Sequence, residues 1–401
     1  MLLLGPVLLR VSFLFSVVLL WASIFPVGLA SSGSVGLPSP SGIEAYVDQA
    51  WRTLPSIGGG SLDLGGIEDM CRDPLGRIIA VDFRRILVID RNMGEVGDMA
   101  NSSQASMYSP WVGHPARVAA DSQGRIYIAD MKAKSVYVLN QDLELMGIVP
   151  LPNYPWILPS CVAVDSMDRV IVGVYDGSNS RIIVYSWKGS SNCTGRPEND
   201  LLKTGEFKYN PPDEPPYCGM PYDIAVDSKD RIIIAEGGTP SLPRRERVLV
   251  FDKDFKWVAT LGSWGSEPGH FMAARSVAIG PSDIIMAAGG DDGWINFYFP
   301  NGTFAGQIGS YGHPLWRPKV FASTPDGKIL ARWSGALRRV VIDWSTLTAI
   351  NTTANTRPNG AVPETPLLAF PTLIGLTLLL AKKTSPPAQK RSIAKAMTSR
   401  S

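Results

Sequence analysis

Histidine is almost missing from this chain: three residues, His114, His270 and His313, in 401 positions. Each follows a glycine in an expected loop, so a three-imidazole zinc site would require three separate loops to meet. No Ser-His-Asp order, glycine-rich phosphate loop, Cys-x-x-Cys pair or EF-hand loop occurs, so none of the catalytic or metal frameworks legible from spacing applies. Charged residues are scarce at 18% against 45% apolar, so no long disordered segment dominates the chain. The formal charge of +2 falls to −5 once Arg10 and the six Lys/Arg after Ala381 are set aside. A body of that sign disfavours a nucleic-acid partner, which wants a basic face.

What is present is a repeat. Pro221 to Ile234 reads P-Y-D-I-A-V-D-S-K-D-R-I-I-I, and related stretches begin at Pro159 and Pro115, with weaker copies at Ile67, Ala274 and Pro318. Each copy is an apolar strand, a turn built on Asp-Ser-x-Gly/Asp and a β-branched strand opened by arginine, which is a hairpin. Hairpins recurring every 40 to 50 residues or so predict a β-propeller, because each unit buries its faces only against its neighbours. Aligning the turn acids gives six expected blades over residues 51–350. Third strands are expected at 86–89, 136–139, 182–185, 248–251, 295–299 and 340–342, and fourth strands at 257–261 and 303–308. Residues 50–54 are expected to close the ring from the N-terminal side.

The pattern P-x-x-I-A-V-D-x-x-x-R-I-x-I-A, continued by R-V-L-V-F-D-K-D-F-K and T-L-G-S-W-G-S-E-P-G-H-F, resembles the NHL repeat family of β-propellers. The resemblance implies a binding platform more often than an enzyme. Peptidylglycine-amidating lyases, which are similar to this family, place zinc-binding histidines at the leading positions of three blades. No histidine occupies those positions here, so the resemblance does not extend to that activity.

Both ends read as membrane-directed. Residues 1–30 form an export signal or uncleaved anchor, with an apolar core at 11–29 and a small-residue Gly28-x-Ala30 pattern. A polar linker follows at 31–50. After the propeller comes a linker at 351–365, an apolar run at 366–381 and a basic tail at 382–401, which reads as a transmembrane segment with a cytoplasmic tail. Pro363-Glu364-Thr365-Pro366 ahead of that run is also similar to C-terminal sorting signals cut by exosortase-type transpeptidases. Either route holds the propeller at the cell membrane, facing the extracytoplasmic side.

Export permits disulfides and glycans. Cys193 and Cys218 flank a proline-rich insertion and are expected to pair, closing a loop for about 3 kcal/mol. Cys71 and Cys161, on first strands of non-neighbouring repeats, are expected as buried free thiols. Asn101, Asn192, Asn301 and Asn351 head Asn-x-Ser/Thr sequons in expected loops.

In a propeller the starts of the first strands converge on one mouth of the central channel. The two positions after each opening residue are Glu68 and Asp69, Ala116 and Arg117, Ser160 and Cys161, Tyr222 and Asp223, Arg275 and Ser276, Lys319 and Val320. Glu68, Asp69, Arg117, Tyr222, Asp223, Arg275 and Lys319 are therefore the ligand-binding candidates, for a polar or anionic group such as a sugar or carboxylate. A solvated rim of compensating charges is the alternative. The turn acids Asp73, Asp121, Asp165 and Asp227, recurring in four repeats, cap their own turns. Trp111, Trp156, Trp257, Trp264, Trp294 and Trp316 are expected between blades. The expected function is a surface platform for a protein or carbohydrate. Two other functions stand beside it: a lyase or hydrolase at the mouth, with Ca²⁺ on backbone and Asp oxygens as its cofactor, and a structural envelope component.

Overall fold

The computed structural model describes residues 35–347, apart from 99–114, 310–318 and shorter loop segments. The chain divides into a unit Met1–Ala354 and a unit Asn355–Ser401, the latter outside the described residues. No helix among the described residues is long and apolar enough to cross a membrane. The apolar segments at 1–30 and 366–381 lie outside them.

Runs rich in β-branched residues make the blades. Two short N-terminal strands, β1 (Val35–Gly36) and β2 (Ala45–Trp51), come first, and β3 (Thr53–Pro55) pairs with β4 (Ser61–Asp63). Blade one is β5 (Ile67–Arg72), β6 (Ile78–Asp82), β7 (Ile86–Ile89) and β8 (Val96–Asp98). Blade two is β9 (Pro115–Ala120), β10 (Ile126–Asp130), β11 (Ser135–Leu139) and β12 (Leu145–Ile148). Blade three is β13 (Leu158–Val164), β14 (Val170–Tyr175), β15 (Arg181–Trp187) and β16 (Leu201–Phe207), with a one-turn helix α1 (Pro197–Asp200) before its last strand. Blade four is β17 (Met220–Val226), β18 (Ile232–Gly237), β19 (Arg247–Phe251) and β20 (Trp257–Leu261). Blade five is β21 (Ser276–Ile279), β22 (Ile285–Ala288), β23 (Trp294–Tyr298) and β24 (Phe304–Gly309).

The fold is thus an all-β propeller with five four-stranded antiparallel blades. The sixth repeat gives β25 (Lys319–Ser323), β26 (Ile329–Trp333) and β27 (Ala336–Ile342), which join β1 and β2 in a five-stranded sheet. Its missing outer strand comes from the N-terminus: β2 pairs antiparallel with β27, Val47 opposite Val340. The pairing segment is therefore Ala45–Trp51, upstream of the expected 50–54, because Ile43, Ala45 and Val47 supply the apolar face that buries against Ile329, Val340 and Phe297. The first strands pack in chain order, and β25 packs on both β21 and β5.

The core lies between blades. Ile79, Val81, Ile126 and Ile128 fill one seam, Ile171, Ile182, Ile232 and Ile234 another, each buried. The repeated turns add a polar seam on one face. Asp121 Oδ1 accepts the Gln123 and Arg125 amides at 3.0 and 2.9 Å, while Oδ2 accepts the Tyr127 hydroxyl at 2.7 Å. Asp73, Asp165 and Asp227 cap their turns likewise. The arginine after the turn pairs with that acid and reaches the next blade, Arg77 donating to the Gln141 carbonyl at 2.8 Å and Arg169 to that of Lys253 at 3.2 Å.

Two expectations are corrected. Cys218 is a free, buried thiol, so the Cys193–Cys218 bridge is not formed. Its side chain is drawn inward against Tyr209, Ile224 and Phe251, while Cys193 falls outside the described residues. Cys161 is a buried free thiol, and Cys71 is free and half-buried. Three of the tryptophans expected between blades stand at the surface, Trp156 at 74% exposure, Trp264 at 40% and Trp257 at 39%, while Trp294 is half-buried. The fully buried aromatics are Tyr127, Tyr185, Phe251 and Phe297, and the half-buried Trp187 and Trp344 pack against core clusters. Trp111 and Trp316 lie outside the described residues.

Candidate functional site

A β-bulge opens the first strand in four blades. Ile67 pairs with Asp82 and Asp69 with Val81, leaving Glu68 unpaired. Ala116, Ser160 and Tyr222 are skipped in the same way. A bulge re-aims consecutive side chains, so both positions of each pair face the same end of the channel region. The sequence-selected residues are brought together there by this repeated defect.

Arg117 sits at the centre of the cluster. It is almost fully buried, and its Nε donates to Asp223 Oδ1 of blade four at 2.8 Å while Nη2 donates to the Arg275 carbonyl ahead of blade five at 2.8 Å. Burial works against its charge, but Asp223 and Asp69 push its pKa upward and keep it cationic. The acids also hold the neighbouring blade: Asp69 Oδ2 accepts the Val118 amide at 2.8 Å, and Asp223 Oδ2 accepts that of Val277 at 3.0 Å. Ser160 Oγ donates to the Pro221 carbonyl at 2.6 Å in the next blade. Each of these residues therefore stitches first strands together, and Asp69, Arg117 and Asp223 also bring ionisable groups to the axis.

Burial and the nearby Asp223 carboxylate raise the Asp69 pKa to about 7, with Arg117 opposing. A second group adjoins the first. Lys319 lies opposite Arg332 in the β25–β26 pair and forms an ion pair with Glu68 of blade one. Burial, then Arg117, bring the Lys319 pKa down to about 8, against the pull of Glu68. Arg332 is pushed down by burial and by Arg117. The mouth thus concentrates positive charge that water does not fully solvate. At its rim the Arg275 guanidinium lies over the Tyr222 ring, 4.1 Å from the centroid.

The structure gathers Glu68, Asp69, Arg117, Asp223 and Lys319 into this cluster and sets Tyr222 and Arg275 beside it. Sequence reasoning missed Arg332 and its equivalents, the charged residues at or next to the ends of the second strands, of which Asp82, Asp130 and Glu236 are buried. The signal was a charge closing an otherwise apolar run, as in I-I-I-A-E and I-L-A-R-W. His270 pairs through Nδ1 with Ser263 Oγ at 2.7 Å; His114 and His313 lie outside the described residues. No group of three or more His, Cys, Asp or Glu is placed to hold a metal among the described residues. Asn301 occupies an exposed turn; Asn101, Asn192 and Asn351 lie outside the described residues.

No protein-family model matches the chain, and no curated protein matches it in sequence. Among solved structures it is similar to a gluconolactonase from Xanthomonas campestris at 9% identity and a TM-score of 0.49, over 80% of this chain and 99% of that one. It is also similar to virginiamycin B lyase from Staphylococcus aureus, at 10% identity and a TM-score of 0.47, over 78% and 93% of the two chains. For the WD40 repeats of RRP9 the values are 14%, 0.45, 76% and 79%. These likenesses transfer no activity to this chain.

Proposed function

We propose that the protein is an extracytoplasmic, membrane-anchored propeller of NHL-like repeats that binds a protein or carbohydrate at the mouth of its axis. In this reading the five-stranded sheet is the sixth blade and closes the ring. The observation that carries it is the meeting of Glu68, Asp69, Asp223 and Lys319, from three repeats, around the buried Arg117 of a fourth. Poorly hydrated charge of this kind, already paired within the cluster, strengthens every further hydrogen bond made to it.

The test is equilibrium binding of the full chain to arrays of glycans and envelope proteins, beside Lys319→Met and Arg275→Gln variants. A ligand retained by the parent chain and weakened about tenfold or more by either change supports the reading, since a charge-assisted hydrogen bond contributes about 1.5–3 kcal/mol. Binding that ignores both changes moves the site away from the mouth. A second reading, a lyase or hydrolase, draws on Asp69, whose pKa near neutral suits a general acid or base beside Asp223. Under it, Asp69→Asn abolishes turnover while the chain stays folded.

A further inference from the structure

Two arginines on the rim are each laid on an aromatic ring and carry donors that no described residue uses. The Arg275 backbone is fixed by its amide donating to the Ala288 carbonyl at 3.1 Å and by its own carbonyl accepting from Arg117. Its guanidinium rests on Tyr222, whose ring is pressed so close to Gly237 that a Cβ there would stand 2.3 Å from Tyr222 Cε2. Arg244, in the loop between β18 and β19, lies over Trp264 at 4.4 Å. Its backbone adopts φ +63°, a left-handed conformation unfavourable to a residue with a side chain, and it is exposed. Neighbouring Arg245 and Arg247 turn inward to Glu214 and Glu236.

Between the two stations stands Glu246, and it neutralises neither by hydrogen bonding. Its Oε1 accepts the Gly238 amide at 2.9 Å and its Oε2 the Ala274 amide at 3.1 Å, tying the Arg244 loop to the segment that bears Arg275. A guanidinium held flat on a ring keeps its N–H edge free for bidentate pairing with a planar anion. Exposed apolar surface adjoins the stations, from Trp264 and from Met272 at 38% exposure. That combination fits a carboxylate carried beside the C–H face of a pyranose. Two such stations, on segments joined through Glu246, suit a polymer that carries the unit more than once, and the acidic body, −5 between residues 11 and 381, favours one charge per sugar over denser polyanions.

We infer that Arg244 and Arg275 form a binding surface for an acidic polysaccharide, with uronate carboxylates of one glycan chain on the two guanidinium edges; this rests on the ligand-binding reading above and names its chemistry. Binding of the full chain to polygalacturonate, dextran and dextran sulfate tests it. Polygalacturonate binds, dextran does not, and Arg244→Gln and Arg275→Gln each weaken binding about tenfold, with the double variant losing about a hundredfold. Arg275→Lys keeps the charge, loses the fork and recovers only part of the affinity. Both side chains are at the surface, so the variants melt as the parent does. Equal affinity of parent and double variant, or polygalacturonate binding no tighter than dextran, overturns the inference. So does a preference for dextran sulfate, which would make the site a reader of sulfate. If another mouth ligand binds while polygalacturonate fails, the acidic glycan falls and the platform stands.

Discussion

Asp69 makes the mouth responsive to neutral pH. Burial first, then Asp223, lift its pKa from the ordinary 3.8 to about 7. A carboxyl raised on folding binds its proton more tightly in the folded chain, so its contribution is present at acid pH and is lost as pH rises from about 4 to about 7. Melting curves taken across that window should fall for the parent chain and flatten for Asp69→Asn, which keeps an acceptor for the Val118 amide. Identical slopes would remove Asp69 from the account. Gly237 is the other single-residue control, since it lets the Tyr222 ring lie against the backbone. Gly237→Ala should destabilise by about 1–3 kcal/mol in denaturant unfolding, and displace the ring that supports Arg275.

At the scale of the hairpin, the turns carry a code that passes from blade to blade. Ser122 donates through its amide and hydroxyl to Asp168, at 2.8 and 2.6 Å. Ser166 repeats this with Asp230 and Ser228 with Asp283. The three aspartates sit at φ near +60°, where glycine is otherwise favoured. Where the preceding repeat has proline instead of serine, as at Pro74 and Pro281, the next repeat has glycine, at Gly124 and Gly327. Ser166→Ala alone should cost about 1 kcal/mol, and Asp230→Gly should cost almost nothing once Ser166 is gone, a coupling that a double-mutant cycle in urea reads directly. These turns were legible because Asp-Ser-x-Asp is local chemistry. The stacking of Arg244 on Trp264 was not, because it joins a loop to a linker twenty residues away, and nothing at either position marks the other.

Across the whole molecule, the period of the repeats announced a propeller, but the last sheet takes a strand from a segment that carries no repeat. β2 completes the last sheet through Ala45 and Val47, and the register only becomes visible when β27 is in place to receive it. Val47→Asp, a charge buried in that seam, should destabilise by more than about 3 kcal/mol and strip folded protein from the soluble fraction on heating. The mouth was half legible. Its residues followed from repeat position, whereas their electrostatics depend on how deeply three dimensions bury them, which the sequence cannot express. Charges from separate repeats meet there in a poorly hydrated cluster. Competitive acetylation of the full chain's lysines, read peptide by peptide from neutral to alkaline pH, tests it most directly. Lys319 is expected to titrate near 8, well below the exposed lysines, and to be shielded when a mouth ligand is bound. A Lys319 that titrates with the others near 10.5 would contradict it.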